Sequence, residues 1–493
     1  MEAESNTPKQ ERTLLQEIVD GVGLAILSGS TTIGGILYRL SRAPGVITFG
    51  PALLANELGH VFSLIQFGLL CFVYKFHKRL LISSKLAKLF FGANIVTILL
   101  HFSSVRENVN TARAYKKALN SKGIDTRLLE KPTRGEKYLF SAIASLLTFG
   151  TRFLPNSVVS KTESYGSLKE LDPDLQEAHD NTTTTIKTLS MLVGRGRRPQ
   201  WLNLDVIGRS EIVEKKGTRK LVPVLIYVHG GGWAVGDKMF ALRPTLEYMA
   251  STQNVVVVSI NYRLAPEAAY PAQLIDAKRA IIWVKKNISK YGGNPEQIAV
   301  AGESAGGHLS SMIALTGNFP KFQPEECPEE DTSVQLCIDI YGVHDFVKED
   351  RDKSDKNRAK MMQFLCENIV MQVSLKNDEN LFRDASPTSV VKRMIQARVD
   401  GEEDTGAQNI PPTLLIHGDK DSLASLVETR DYYAVLQKLR KTVKSSTKDV
   451  LAEVPGGHHG FGYIKTPRSI ATAGAIASFM HHHFGSVMTE SRL

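Results

Sequence analysis

The sequence predicts an α/β fold: a mostly parallel sheet flanked by helices, with an additional helical region ahead of it. Three observations carry that expectation. Short apolar, β-branched runs such as Val224–Val228 and Val255–Ile260 have the length and composition of buried parallel strands. One run, Gln297–Ala301, leads through Gly302-Glu303-Ser304-Ala305-Gly306-Gly307 into a helix-like segment from Gly307 to Leu315. Two further runs, Pro412–Ile416 and Val450–Pro455, end in turns rich in Asp and His.

The first strand, Val224–Val228, runs into His229-Gly230-Gly231-Gly232-Trp233. Successive glycines let the backbone turn and bring N–H groups close to an oxygen that becomes negative during acyl transfer. Gly231 and Gly232 are the expected loop donors, Gly230 shapes the loop, and the Ala305 N–H completes the oxyanion hole. A phosphate-binding turn is the competing reading. It finds no Gly-Lys-Ser/Thr or Gly-x-Gly-x-x-Gly to support it.

The Val255–Ile260 strand is followed by Asn261-Tyr262-Arg263-Leu264-Ala265-Pro266-Glu267. Here Arg263 is expected to tie down the loop through buried hydrogen bonds, with Pro266 and Pro271 stiffening it. The Gly-x-Ser-x-Gly turn then pushes the Ser304 hydroxyl clear of the backbone, as a nucleophile requires. Glu303 beside it is read as orienting the turn.

A nucleophilic serine needs a histidine base and a carboxylate that orients it, in the order Ser, Asp/Glu, His for this type of turn. In Ile416-His417-Gly418-Asp419-Lys420-Asp421, Asp421 is the expected acid and Asp419 the alternative. In Gly456-Gly457-His458-His459-Gly460-Phe461, His459 is the expected base and His458 the alternative. No Cys or third ligand stands at metal-binding spacing near that pair, so neither metal nor cofactor is expected. His481-His482-His483 is read as a solvated helix end.

On His229–Trp233, Asn261–Glu267, Tyr270–Ala277 and Gly302–Gly307, the chain resembles the hormone-sensitive-lipase-like, arylacetamide-deacetylase-like branch of the α/β-hydrolases. Weaker likeness returns at His417–Asp421 and His459–Phe461, so coverage is roughly residues 205–485. The resemblance implies a serine carboxylic-ester hydrolase acting on an apolar or lipid-like ester through Ser304, Asp421 and His459. It leaves open amide hydrolysis and a non-catalytic binding role on the same scaffold. The interval from Ser304 to Asp421 is long, with charged stretches at Pro324–Asp331, Lys348–Lys360 and Asp400–Gln408 read as surface insertions or cap elements.

The length of 493 residues exceeds one such domain by about two hundred. The expected division is an apolar helical region at 1–105, a linker or lid region at 106–200, and the α/β-hydrolase domain at 201–490. The sheet is expected to begin near Trp201, after the Gly194–Pro199 boundary. Net charge is +9, from 60 Lys+Arg against 51 Asp+Glu, with no aromatic-interleaved basic stripe, so nucleic acid is not an expected partner. Four cysteines argue against a disulfide framework, although Cys327 and Cys337 are candidates to pair.

Apolar runs at Gly21–Tyr38, Leu54–Tyr74 and Leu89–Phe102, with a basic cluster at 75–88, point to membrane association. None is a clean run of about twenty apolar residues, and Gln66 would be costly in lipid. The expected location is the endoplasmic reticulum membrane, with the cytoplasm as alternative. Three spans would place the hydrolase domain in a lumen and expose the sequons at Asn181 and Asn287.

Overall fold

The computed structural model describes residues 22–33, 36, 59–129, 157–167, 201–214, 220–239, 243–347, 356–401 and 409–485. These divide into two compact units, one ending at Glu107 and the other beginning at Asn108. The expected features at Asn181, Gly194–Pro199, 348–355 and 402–408 lie outside the described residues.

The first unit holds helix α1 over residues 22–33, α2 (Gly59–Phe76), α3 (Lys78–Ser83) and the first part of α4 (Lys85–Asn120). Leu27, Leu70, Val73, Leu80, Ala87 and Ile98 form its small core. Beside them lies a polar cluster. The Gln66 amide donates to Asn94 Oδ1 (2.8 Å) and Thr97 Oγ1 (2.6 Å). The Asn94 amide donates to the carbonyls of Leu27 and Phe90, both at 2.9 Å. Meanwhile Ile65, Phe67, Phe72, Phe76, Leu89 and Leu99 are exposed. Among the described residues, no helix is long and apolar enough to cross a membrane. The expectation of spanning helices is corrected accordingly. The apolar sequence is cut at His77 and Ser84 into separate helices, and Gln66 is bonded in the interior rather than left in lipid.

The second unit is built on an eight-stranded sheet: β1 (Val158–Ser167), β2 (Trp201–Arg209), β3 (Val222–Val228), β4 (Val256–Ile260), β5 (Gly293–Glu303), β6 (Leu336–Ile340), β7 (Thr413–Gly418) and β8 (Val450–Val454). Their order across the sheet is β1-β2-β4-β3-β5-β6-β7-β8. The β1–β2 and β2–β4 pairs are antiparallel and the remainder parallel. The helices include α5 (Arg243–Thr252), α6 (Ala272–Asn287), α7 (Ala305–Thr316), α8 (Lys356–Phe364), α9 (Pro387–Val399), α10 (Leu426–Thr442) and α11 (Pro467–Phe484).

Every residue of β3, β4, β6 and β7 is buried, as parallel strands covered on both faces require. The edge strand β8 instead alternates, burying Val450, Ala452 and Val454. Every residue of α7 is buried too, which places the helix after Ser304 in the interior of this unit.

Three expectations change. The sheet starts at Val158 rather than near Trp201, because β1 pairs along β2 from Val158↔Arg209 to Ser167↔Trp201. The four cysteines are free, and Cys337 is buried within β6, so Cys327 and Cys337 do not pair. Of the three terminal histidines only His482 is exposed, while burial pushes His483 down to about 4. The charged stretch at Pro324–Asp331 is a surface loop held to α6 by Arg279–Glu326, Lys286–Glu330 and Lys285–Asp331 ion pairs. Asn287 closes α6 with its amide donating to Trp283 O.

Candidate active site

Ser304 stands between β5 and α7 with φ 55° and ψ −119°, a backbone that L-residues rarely adopt and that costs on the order of 1–3 kcal/mol. The surroundings enforce it. The Ser304 N–H donates to Ile340 O at the end of β6 (2.9 Å). Behind the turn, a Cβ on Gly306 would lie 2.0 Å from Val228 O, so only glycine lets α7 start against the end of β3. Residue 305 opens α7, where the first amides have no intrahelical acceptor.

The glycine loop follows β3 directly. Gly231, Gly232 and Trp233 have φ of 115°, 58° and 59°. This curl lets the amides of Ala234 and Val235 donate back to Gly231 O (3.2 and 3.0 Å). A Cβ on Gly231 would sit 2.0 Å from Val235 O. The Gly230 amide is engaged elsewhere: it donates to Glu303 Oε1 at 2.9 Å, so Gly230 shapes the loop and Gly231 and Gly232 remain as its candidate donors.

Glu303 is therefore the clamp between the two motifs. Its carboxylate also accepts from the Tyr463 hydroxyl (3.0 Å). Burial raises it to about 7, against the lowering effect of Tyr227, the Gly230 amide and Tyr463. On the other side, the Trp233 indole donates to His308 Nδ1 (3.1 Å), and His308 Nε2 faces Ala385 O (2.8 Å). Burial pushes His308 down to about 4, which fits a neutral ring with its proton on Nε2. Sequence reasoning missed His308, which carries no motif of its own beyond its place on α7.

The turns after β7 and β8 bring Asp421 and His459 together. His459 Nδ1 lies 2.7 Å from Asp421 Oδ2. Asp421 Oδ1 accepts from the amides of Leu423 and Ala424 (2.8 and 2.9 Å). Burial works to raise this carboxyl, but His459 and His417 outweigh it and hold it well below the usual carboxylate range. The alternative acid points elsewhere: Asp419 accepts from the Gly456 amide (2.7 Å). The Tyr341 ring, one residue beyond Ile340, lies 4.6 Å from the ring of His459, the candidate base, and links it to the wall behind Ser304.

Arg263 closes the frame. Its backbone amide, Nε and Nη2 all donate to Asp276, at 2.9, 2.8 and 3.0 Å, and Arg279 reaches the same carboxylate at 2.5 Å. Near the glycine loop, a methyl on Gly232 would lie 3.3 Å from Leu365 Cδ2, so the segment after α8 covers that loop. A cavity of 740 Å³ lies between this segment and Phe346, lined by Cys366, Leu375 and Phe382 as well as Glu367 and Lys376.

Residues 211–436 match the family described as BD-FAE. Esterase LipC of Mycobacterium tuberculosis is 37% identical over 278 residues, covering 56% of this chain and 61% of LipC. The probable carboxylic ester hydrolase LipM of the same organism is 35% identical over 56% of this chain and 57% of its own length. Arylacetamide deacetylase of Oryctolagus cuniculus is 41% identical over 105 residues, 21% of this chain and 26% of its own. The chain thus spans about three fifths of the first two relatives. Among solved structures, an esterase from Rhizomucor miehei aligns with a TM-score of 0.48 at 22% identity, covering 76% of this chain and 96% of that one. Over residues 211–436 this chain is thus similar to the BD-FAE family, and over 56% of its length to curated esterases and carboxylic ester hydrolases.

Proposed function

We propose that this protein is a serine carboxylic-ester hydrolase. The observation that carries the reading is the short His459 Nδ1 to Asp421 Oδ2 contact at the strand ends that also hold the strained Ser304. With Nδ1 committed to Asp421, the proton-accepting nitrogen of His459 is Nε2. Ser304 Oγ attacks the ester carbonyl and His459 takes its proton. The Gly231, Gly232 and Ala305 amides hold the oxyanion. His459 returns the proton to the leaving alcohol, and water then releases the acyl group by the reverse sequence. The substrate is an apolar or lipid-like ester, with the cavity beside Phe346 and Phe382 as the candidate acyl or alcohol site.

The test is fluorophosphonate labelling together with hydrolysis of a p-nitrophenyl ester and an arylacetamide, for wild type and Ser304→Ala. The variant is expected to lose labelling and at least about a thousandfold in rate. Equal rates in both proteins would refute the assignment, and faster turnover of the arylacetamide would move the activity to amides.

The first unit supports a second element, attachment to the surface of a lipid bilayer. Beside its small apolar core, its polar groups bond to one another inside while Ile65, Phe67, Phe72, Phe76, Leu89 and Leu99 face outward, an apolar surface suited to the acyl boundary. Glu57 is the single acidic residue between Gly21 and Arg106, whereas Lys75, Lys78, Arg79, Lys85 and Lys88 cluster there. That charge favours anionic headgroups. Co-sedimentation of the full chain with phosphatidylserine-containing vesicles is expected, and no binding to them would refute attachment.

A further inference from the structure

The hydrogen bonds at Asp421 do not stop at His459. His417 Nε2, at the end of β7, lies 3.3 Å from the same Asp421 oxygen and 3.4 Å from Ala424 O. His417 Nδ1 is 2.7 Å from the Thr429 hydroxyl on α10. That hydroxyl is 3.2 Å from His344 Nδ1, and His344 Nε2 is 2.9 Å from Asp339 Oδ2 on β6. Asp339 is further held by the Ser311 hydroxyl (2.5 Å) and the Gly342 amide (2.8 Å). Each of Asp339, His344, His417 and Thr429 is at most 1% exposed, so bulk water does not complete these bonds.

His344 Nε2 faces Asp339, and His417 Nε2 faces both Asp421 and Ala424 O, so each ring carries a proton on Nε2. The two Nδ1 atoms then share one hydroxyl with a single hydrogen. Thr429 lies closer to His417, which makes His417 the ring it donates to.

We propose that His344, Thr429 and His417 form a directional relay of positioning residues that fixes the hydrogen bond made to Asp421 from behind. The Thr429 hydroxyl, set between the His344 and His417 rings, donates to His417 Nδ1. That in turn fixes the His417 proton on Nε2, where it donates to Asp421. The relay tempers the pull of Asp421 on the His459 proton, because one Asp421 oxygen serves two donors. Burial raises the Asp339 carboxyl, but His344 and Ser311 hold it below the usual range. The other titratable groups around the relay are His308 from α7, Tyr432 from α10 stacked on His344, Cys337 from β6 and Glu453 from β8.

The inference rests on the Ser304–His459–Asp421 reading, and Thr429→Val tests it separately. Without the hydroxyl, the His417 tautomer is released and Asp421 holds the His459 proton more tightly. The acidic limb of kcat/KM is expected to move to higher pH by about half a unit or more, with a rate loss of about tenfold. Thr429→Ser keeps the hydroxyl and is expected to restore the wild-type limb. An unmoved limb in Thr429→Val, whatever the rate, overturns the relay. Activity that survives Asp421→Asn overturns the underlying triad instead. Should Thr429→Val not fold, histidine-selective ¹⁵N NMR of the wild-type protein at pH 8 decides the matter. A His417 ring, identified by its absence from His417→Asn, that carries its proton on Nε2 and none on Nδ1 supports the relay, and one protonated on Nδ1 overturns it.

Discussion

Glu303 is a buried carboxyl beside the candidate nucleophile, and replacing it with Gln has a consequence whose sign and size follow from its surroundings. The ordinary value for a glutamate is 4.5, and burial raises Glu303 to about 7. Below pH 4.5 the carboxyl is protonated both folded and unfolded, and contributes no pH dependence. Between 4.5 and 7 the unfolded chain releases its proton while the folded chain keeps it, so stability falls as pH rises. Above 7 both forms are ionised and the cost is complete. At about 1.4 kcal/mol per pH unit, the full cost is about 3 kcal/mol. Glu303→Gln keeps an oxygen for the Gly230 amide and the Tyr463 hydroxyl but cannot ionise. Urea denaturation of both proteins at pH 4, 6 and 8 is the assay. The stability of the variant relative to wild type is expected to improve by about 3 kcal/mol from pH 4 to pH 8. A difference that stays flat across that range would show that Glu303 ionises as freely folded as unfolded, and the argument from its burial would fail.

Two other substitutions test the frame. Asp276→Asn removes the charge that Arg263 and Arg279 share and is expected to cost about 3–5 kcal/mol in urea unfolding, since the largely buried Arg263 guanidinium loses its counter-ion and Arg279 keeps only Glu326; a loss below about 1 kcal/mol would mean that solvent already screens the cluster. Trp233→Phe deletes the indole N–H that satisfies His308 Nδ1 and is expected to cost about 1–3 kcal/mol. An unchanged urea midpoint in Trp233→Phe would place another donor on that nitrogen.

The parallel strands were legible because burial on both faces demands continuous apolar runs. β3, β4 and β7 fall within a residue or two of where such runs begin and end. β1 was not legible for the converse reason. Val158–Ser167 carries Ser, Lys, Thr and Glu because it is an antiparallel edge strand, and a polar decapeptide of that kind looks like a loop. Its place in the sheet depends on pairing with β2, beginning more than thirty residues later.

The same distinction runs through the site. Gly-x-Ser-x-Gly and His-Gly-Gly-Gly are local because a turn conformation is a property of adjacent residues, and φ of 55° at Ser304 and 115° at Gly231 write themselves into sequence as small neighbours. Which of two aspartates meets which of two histidines is not local. Asp419 and Asp421 differ by two positions on one turn, and only the turn after β8 sends one to the Gly456 amide and the other to His459. The Asp339–His344–Thr429–His417 chain lies further still from legibility. Its members come from two neighbouring parallel strands, the loop after one of them and a covering helix, with no fixed spacing to mark them. Parallel neighbours end at the same edge of a sheet, so residues distant in sequence are delivered to the same few ångströms. Any polar group sent there from β6, β7 or α10 must then find its partner among the others or remain unpaired in the core. That requirement, rather than a motif, ties the surroundings of Asp421 to a carboxylate on the next strand.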